Sequence, residues 1–226
     1  MISIENPWLK LSPFADSYVL EIDRACIQRH NCESRSEKNK FIIESIPEPF
    51  IGYPESARVI LLGKNPGHSD DDVKSHRNAE FQKAMFHNLR HEAQEYPFYP
   101  LNPAFSETGA GRWWRTHTRE LRSECGLDDQ TIARRLMVIE WFPYHSRSFV
   151  RPKTECESQK YSFQLAKLML EKSFLIVRMR AKKEWTEVDQ RFGSARSLKN
   201  PQRSFISRGN TGEWFDEIVE ALRDHS

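Results

Sequence analysis

Three near-continuous apolar runs constrain the fold of this chain more than any other feature. VILLG (Val59 to Gly63), LMVIEWF (Leu136 to Phe142) and FLIVRM (Phe174 to Met179) each read as a strand buried on both faces. Helical patterns lie between and after them. Phe81, Met85 and Leu89 recur every four residues in FQKAMFHNL; Tyr161, Leu165, Leu168 and Met169 share one stripe; KKEWTEVDQRF follows the third run. The last pattern is NTGEWFDEIVEALRD, where Asn210 and Glu213 have capping-box spacing and Trp214, Ile218, Val219 and Leu222 form the expected buried face. Buried strands alternating with helices predict an α/β fold, a three-layer α/β/α sandwich with a mostly parallel central sheet. In such sheets ligands bind beyond the carboxyl ends of the strands, where the loops starting at Gly63, Phe142 and Met179 gather.

At 226 residues the chain is long enough to bury a core without staples, and 38% hydrophobic with 29% charged residues describes a globular protein with a polar surface. The charged ESRSEKNK (Glu33 to Lys40) and the proline-marked SIPEPFIGYPES (Ser45 to Ser56) set off the beginning, so residues 1–56 are expected as an extension packed on a core domain of residues 57–226. No run of about 18 apolar residues exists, and MISIENPWLK lacks a basic region followed by an apolar one, so neither a membrane span nor a secretory leader is expected and the cytoplasm is the expected location. Cys26, Cys32, Cys125 and Cys156 contain no C-x-x-C pair, and CIQRHNC around His30 matches no common ligand spacing; reduced thiols, no metal and no cofactor are expected.

Charge is unevenly spread. Residues 1–60 hold seven Lys/Arg against nine Asp/Glu, whereas residues 151–210 hold fourteen against six. The basic stretch is where a polyanion would bind, an ordinary solvated face being the other reading.

The first run ends in GKNPGHSDDD. Gly63 and Gly67 permit backbone angles that other residues resist, and Pro66 stiffens the turn, so Asn65 is held in one orientation at a strand end. An amide offers two donors and an acceptor; it can position a water or read a base edge, but it is no general base. A turn in which Asn65 satisfies only its own loop is the competing reading. Asp70 to Asp72 read as the acidic first turn of a helix.

From Arg58 onward, about three quarters of the chain, the sequence resembles the uracil-DNA glycosylase superfamily, most nearly its mismatch-specific uracil/thymine branch. In that branch the first strand ends in Gly-x-Asn-Pro-Gly-x-Ser, matched here by Gly63, Asn65, Pro66, Gly67 and Ser69. A second motif, Asn-Pro, a short Ser-Gly-rich loop and Leu-Ser-Arg, is matched in order by Asn200, Pro201, Ile206, Ser207 and Arg208 of NPQRSFISR. Between them the family has His-Pro-Ala-x-Arg-aromatic-Trp, and NPAFSETGAGRWW (Asn102 to Trp114) looks like a stretched version. FPYHS (Phe142 to Ser146) is similar to the Pro-Tyr-His of the fast uracil-specific branch, but follows a later strand and is set aside as coincidence. Departures are a long loop ahead of GRWW with an extra helix, about two added residues at Arg203 to Phe205, a weakly apolar SARSLK where a strand is expected, and Asn102 in place of the family's histidine.

The resemblance implies a monomeric enzyme that hydrolyses the N-glycosidic bond of a flipped uracil or related deaminated or damaged base in DNA, with no cofactor; a catalytically silent relative that binds nucleic acid or a nucleotide is the alternative. Asn65 would hold the water, with His145 or Glu140 helping. Gly63, Lys64, Pro66, Gly67 and His68 would surround the base, Phe98 or Tyr99 would stack on it, and Asn102 would stand at the family's histidine position. Asn200, Arg203, Phe205, Ile206, Ser207 and Arg208 would meet DNA, with Phe205 or Ile206 filling the vacated stack and Ser207 or Arg208 touching phosphate. Trp113 and Trp114 read as core, Arg112 and Arg115 as solvated or phosphate-facing.

Overall fold

A computed structural model describes residues 5–224. After α1 (Arg24–Glu33), the chain forms β1 (Phe50–Ile51) and β2 (Val59–Leu62), then α2 (Asp70–Ser75), α3 (Ala79–Leu89), α4 (Gly109–His117), α5 (Arg119–Cys125) and α6 (Asp129–Arg135) before β3 (Leu136–Ile139). There follow α7 (Gln159–Glu171), β4 (Leu175–Arg178), α8 (Lys182–Val188), α9 (Gln190–Gly193), β5 (Arg196–Ser197), α10 (Arg208–Thr211) and α11 (Trp214–Arg223). The five strands lie in the order β1-β3-β2-β4-β5, parallel except for β1, which runs antiparallel to β3 through Phe50 opposite Ile139. All four residues of β2 and of β3 are buried, so both faces of the sheet are covered, as expected of a parallel sheet with helices packed on it. The expected mixed α/β architecture is therefore present.

The apolar runs begin strands that end earlier than their hydrophobicity does. Glu140 N–H bonds Pro49 C=O at 2.9 Å, and Phe142 N–H bonds Lys64 C=O at 2.9 Å, so the chain leaves β3 and folds across the turn that follows β2. SARSLK yields only the two half-buried residues of β5. β2 sits centrally with β3 on one side and β4 on the other, so the chain reverses direction across the sheet at β2, and a crevice opens outside its carboxyl end.

Residues 5–56 do more than pack on the core. They supply edge strand β1, and Trp8, Leu11, Leu20 and Ile27 join the same buried cluster as Val59, Met137 and Phe215. The C-terminal reading needs correction. Asn210 lies inside α10, buried, where Oδ1 accepts from Asn200 N–H (2.7 Å) and Nδ2 donates to Phe205 C=O (2.9 Å); it clamps a loop instead of capping a helix. Phe215, Ile218, Val219 and Leu222 form the buried face of α11, and Trp214 is exposed. All four cysteines are free, and the fold brings Cys26 of α1 close to Cys156, its thiol donating to Thr154 C=O (3.3 Å), which no local spacing announces. No helix of the described residues is long and apolar enough to cross a membrane.

Candidate functional site

A cleft of about 340 Å³ opens at the carboxyl ends of β2, β3 and β4, between the Gly63 to Ser69 turn, Glu140, His145, Arg180 and the first turns of α4. The turn is fixed from several sides. Gly63 N–H bonds Ile139 C=O (2.9 Å), the buried Trp185 indole donates to Gly63 C=O (2.6 Å), and His145 Nδ1 faces Gly67 C=O (2.7 Å). Neither Gly63 nor Gly67 has a positive φ, so the expected backbone freedom is not what they provide. Gly63 provides space: a Cβ there would stand 2.2 Å from Glu140 Oε2. Gly63→Ala should therefore destabilise the fold by about 1–3 kcal/mol through overpacking, and Glu140→Ala in the same chain should recover most of that loss; denaturant unfolding of the four members of the cycle measures the coupling.

Asn65 is half-buried, and Nδ2 donates to Pro66 C=O (2.8 Å) and to Ser146 Oγ (3.1 Å). The Pro66 carbonyl can only accept, which fixes which side of the amide carries nitrogen. Oδ1 makes no hydrogen bond among the described residues, and it is the atom left to accept from a water. The N–H groups of Gly67 and His68 likewise have no partner among the described residues. FPYHS, set aside as coincidence, lies directly against this turn through His145 and Ser146.

Beneath the turn sits a buried polar layer. His145 is 2% exposed, and its two ring nitrogens face the carbonyls of Gly67 and Ile46 (2.9 Å). With both ring nitrogens at hydrogen-bonding distance from backbone carbonyls, His145 braces the Asn65 turn against the Ile46 segment, and its expected role beside the water is corrected. Glu48, 3.9 Å from His145 Nε2, also accepts from the Tyr99 hydroxyl; burial pushes its carboxyl up, against the pull of His145 and Tyr99. His76 Nδ1 accepts from Ile46 N–H (3.1 Å), and burial holds that ring well below the usual imidazole range. His68 lines the cleft with Nε2 at 3.1 Å from Ser45 Oγ, its basicity also lowered by burial and by His145. Glu140 stands at the end of β3 with Oε2 buried and unpartnered, and burial raises its carboxyl to about 8.

The other motif segments meet the same cleft. Arg180, directly after β4, donates to Ser204 Oγ (2.8 Å) and Pro201 C=O (3.2 Å), tying the Asn200 to Ser207 loop to the cleft wall. On that loop Phe205 is 37% exposed and stacks on His117 (4.6 Å, 12°), which stacks on Trp113 (3.8 Å, 17°). Trp113, expected in the core, is 37% exposed and lines the cleft; Trp114 is buried beside it.

Several expected contacts are elsewhere. Phe98 is fully buried, edge-on to Trp114 at 4.8 Å, and Tyr99 packs on Phe81, so neither ring is available to stack on a ligand. Asn102 caps a short turn by accepting from Ala104 N–H (3.0 Å), outside the cleft. Ile206 is 0% exposed and cannot enter a base stack, which leaves Phe205 for that part. Arg208 is held by Asp216 through two bonds (2.8 and 2.9 Å) and lies over Phe215, and Ser207 ends its loop as the residue before α10. Arg112 pairs with Asp71, and Arg115 pairs with Asp129 at 2.9 Å, so neither is a free cation. Lys64 lines the cleft 3.6 Å from Glu184. Asn200 accepts from Gln202 N–H (3.2 Å), and Arg203 is exposed with no ion pair among the described residues. The acidic run does form the first turn of α2, with the Ser69/Asp72 capping box.

Sequence reasoning missed Glu48, Arg180 and Ser146. Arg180 follows a strand end, a signal that locates it; Glu48 and Ser146 arrive through pairings that span the chain. Comparison of the chain with family models, with curated proteins and with solved structures returns no match.

Proposed function

We propose that the protein is a DNA base-excision enzyme, a monofunctional glycosylase that hydrolyses the N-glycosidic bond of a flipped uracil or related deaminated base. One observation carries the reading. The Asn65 turn, the aromatic face of GRWW and the Phe205 loop, which supply the three separated motifs of the uracil-DNA glycosylase resemblance, border a single cleft at a strand-end crevice. The α/β architecture supports it, and so does the supply of groups. Loss of a base passes through an oxocarbenium-like state with negative charge growing on the base. Asn65 Oδ1 orients the water, and the free N–H groups of Gly67 and His68 stabilise the departing base. Trp113, in place of Phe98 or Tyr99, is the ring presented for stacking, and Phe205 is the wedge.

The test is incubation with labelled duplexes carrying uracil, a thymine mismatch or hypoxanthine, followed by alkaline cleavage at abasic sites. Excision of at least one is expected; excision of none favours the silent nucleic-acid-binding relative.

Binding itself is expected to depend on salt. Six of the fourteen basic residues in 151–210 are paired with carboxylates (Arg151, Lys153, Lys160, Arg191, Arg196, Arg208). Lys182, Lys183, Lys199 and Arg203, on or next to the loops around the cleft, are exposed and form no ion pair among the described residues. If these four meet phosphates, log affinity should fall against log salt with a slope of about −3 to −4. A flat response in fluorescence anisotropy removes the nucleic-acid reading.

A further inference from the structure

Two thiols from distant parts of the chain meet outside the cleft. Three contacts tie α1 and its N-cap residue to the segment that leads into α7, and they run in opposite order along the two stretches. Lys153 Nζ lies 2.9 Å from Glu33 Oε2, the Cys26 thiol donates to Thr154 C=O (3.3 Å), and Ser158 N–H donates to Asp23 Oδ1 (3.0 Å). Cys156 falls between the second tie and the third, and its N–H is fixed on Gln159 Oε1 (2.8 Å). The ladder therefore holds Cys156 beside Cys26, and the two thiols act directly on one another. We propose that Cys26 and Cys156 form an oxidation site: a hydroperoxide converts the pair into a disulfide that fastens the N-terminal segment to the loop ahead of α7, and a thiol reductant restores it. The inference does not depend on the base-excision reading.

The two sulfurs are unequal. Cys26 is half-buried, whereas Cys156 is 1% exposed. Cys156 lowers the thiol of Cys26, against burial and Asp23, while Cys26 and burial push the Cys156 thiol up. A thiolate is the reactive form, so Cys26 meets the oxidant and Cys156 resolves the product. The Cys26 sulfur attacks one peroxide oxygen; the O–O bond breaks, and the departing oxygen takes up the thiol proton and leaves as water when the oxidant is hydrogen peroxide. The Cys156 sulfur then attacks the Cys26 sulfenic acid. The S–S bond forms, the S–O bond breaks, and the hydroxyl leaves as water with the Cys156 proton. Two thiols are oxidised by two electrons in all, and one peroxide is reduced by two. Cys32, exposed on the same helix, and Cys125, in α5 with its thiol facing Arg122 C=O (3.6 Å), serve as internal controls. The fastened segment reaches the cleft: Asp23 Oδ2 accepts from the Tyr144 hydroxyl (2.7 Å), and Tyr144 precedes His145, which braces the Asn65 turn at Gly67.

The experiment treats the reduced full chain, without denaturant, with equimolar hydrogen peroxide, blocks the remaining thiols with an alkylating agent and maps the peptides before and after reduction. A peptide pair joining Cys26 to Cys156 is expected as the main product, with Cys32 and Cys125 alkylated, and dithiothreitol should return all four thiols. The bond closes a loop that takes in β1, β2 and β3, and long loops lose the most freedom in the unfolded chain, so Tm should rise by roughly 5–10 °C on oxidation. Cys156→Ser should stop at the Cys26 sulfenic acid, trapped by dimedone, with no rise in Tm. Cys32→Ser should behave as wild type in both readouts. The linked peptide is read from wild type itself, so the test does not depend on either variant folding. No linked peptide, a main product that joins Cys32, a bond that forms only in denaturant, or an oxidised chain no more stable than the reduced one overturns the assignment.

Discussion

Asn65→Ala should lower single-turnover excision by about 100-fold or more, the usual scale for losing a positioning group, while DNA affinity stays within about twofold of wild type. The two readouts separate because different residues hold the two functions. The water contact rests on Oδ1 of one amide, whereas the Phe205 loop is held by Arg180 and Asn210, neither of which hydrogen-bonds to Asn65. Folding should survive, since the substitution removes two hydrogen bonds at a half-buried turn, a cost of about 1 kcal/mol each. Asn65→Asp probes the same point from the other side. Its carboxylate would put an acceptor against the Pro66 carbonyl, so the variant should be less stable than wild type; any gain in rate would then have to come from base chemistry alone. Wild-type excision by Asn65→Ala makes the turn a structural one and removes the water-positioning scheme.

Trp185→Ala should be the most destabilising single change near the site. The side chain is 0% exposed, packs edge-on against Phe163 (6.1 Å) and Phe192 (5.6 Å), and its indole N–H satisfies Gly63 C=O. Truncating a buried aromatic residue costs about 3–5 kcal/mol, and an orphaned carbonyl adds to it, so a fall in Tm on the order of 10 °C is expected for a chain of this size. Trp185→Phe divides the effect. It keeps most of the packing but leaves Gly63 C=O unpaired, so it should cost about 1–3 kcal/mol and reduce excision more than it reduces DNA binding, because Gly63 begins the turn that carries Asn65. Equal losses in both activities would show that Trp185 serves packing alone.

The central strands were legible because their signal is local: Val59 to Leu62, Leu136 to Ile139 and Leu175 to Arg178 form strands where their apolar runs said they would, buried throughout except at Leu175. β1 was not legible. Phe50 and Ile51 form a two-residue strand in a proline-marked segment, and its partners Ile139 and Val138 lie far along the chain. Site residues divide in the same way. Asn65, Glu140 and Arg180 occupy strand ends, and the strand-end rule finds that kind of position without knowing the packing. Phe98 and Tyr99 were misassigned because an aromatic residue in a loop sequence carries no mark of whether its ring faces a cleft or a core; here Trp114, Phe81 and Glu48 claim those rings. His145 was misread for a related reason. An imidazole is recognisable in sequence, but the carbonyls of Gly67 and Ile46 that occupy it come from two other segments.

The antiparallel pairing of β1 with β3 also sets the order in which the molecule can come into being. The segment carrying Glu48 and Phe50 is synthesised well before Leu136 to Ile139; Asn88 can clamp it early through Phe50 C=O and Gly52 N–H, yet its sheet-side bonds, Phe50 opposite Ile139 and Pro49 C=O to Glu140 N–H, have no partner until that later strand exists. Closing so long a loop costs entropy before any contact repays it, which makes such pairings slow. During translation the sheet pairing of the early segment must therefore wait, and the floor of the cleft cannot be completed before the chain has reached Glu140.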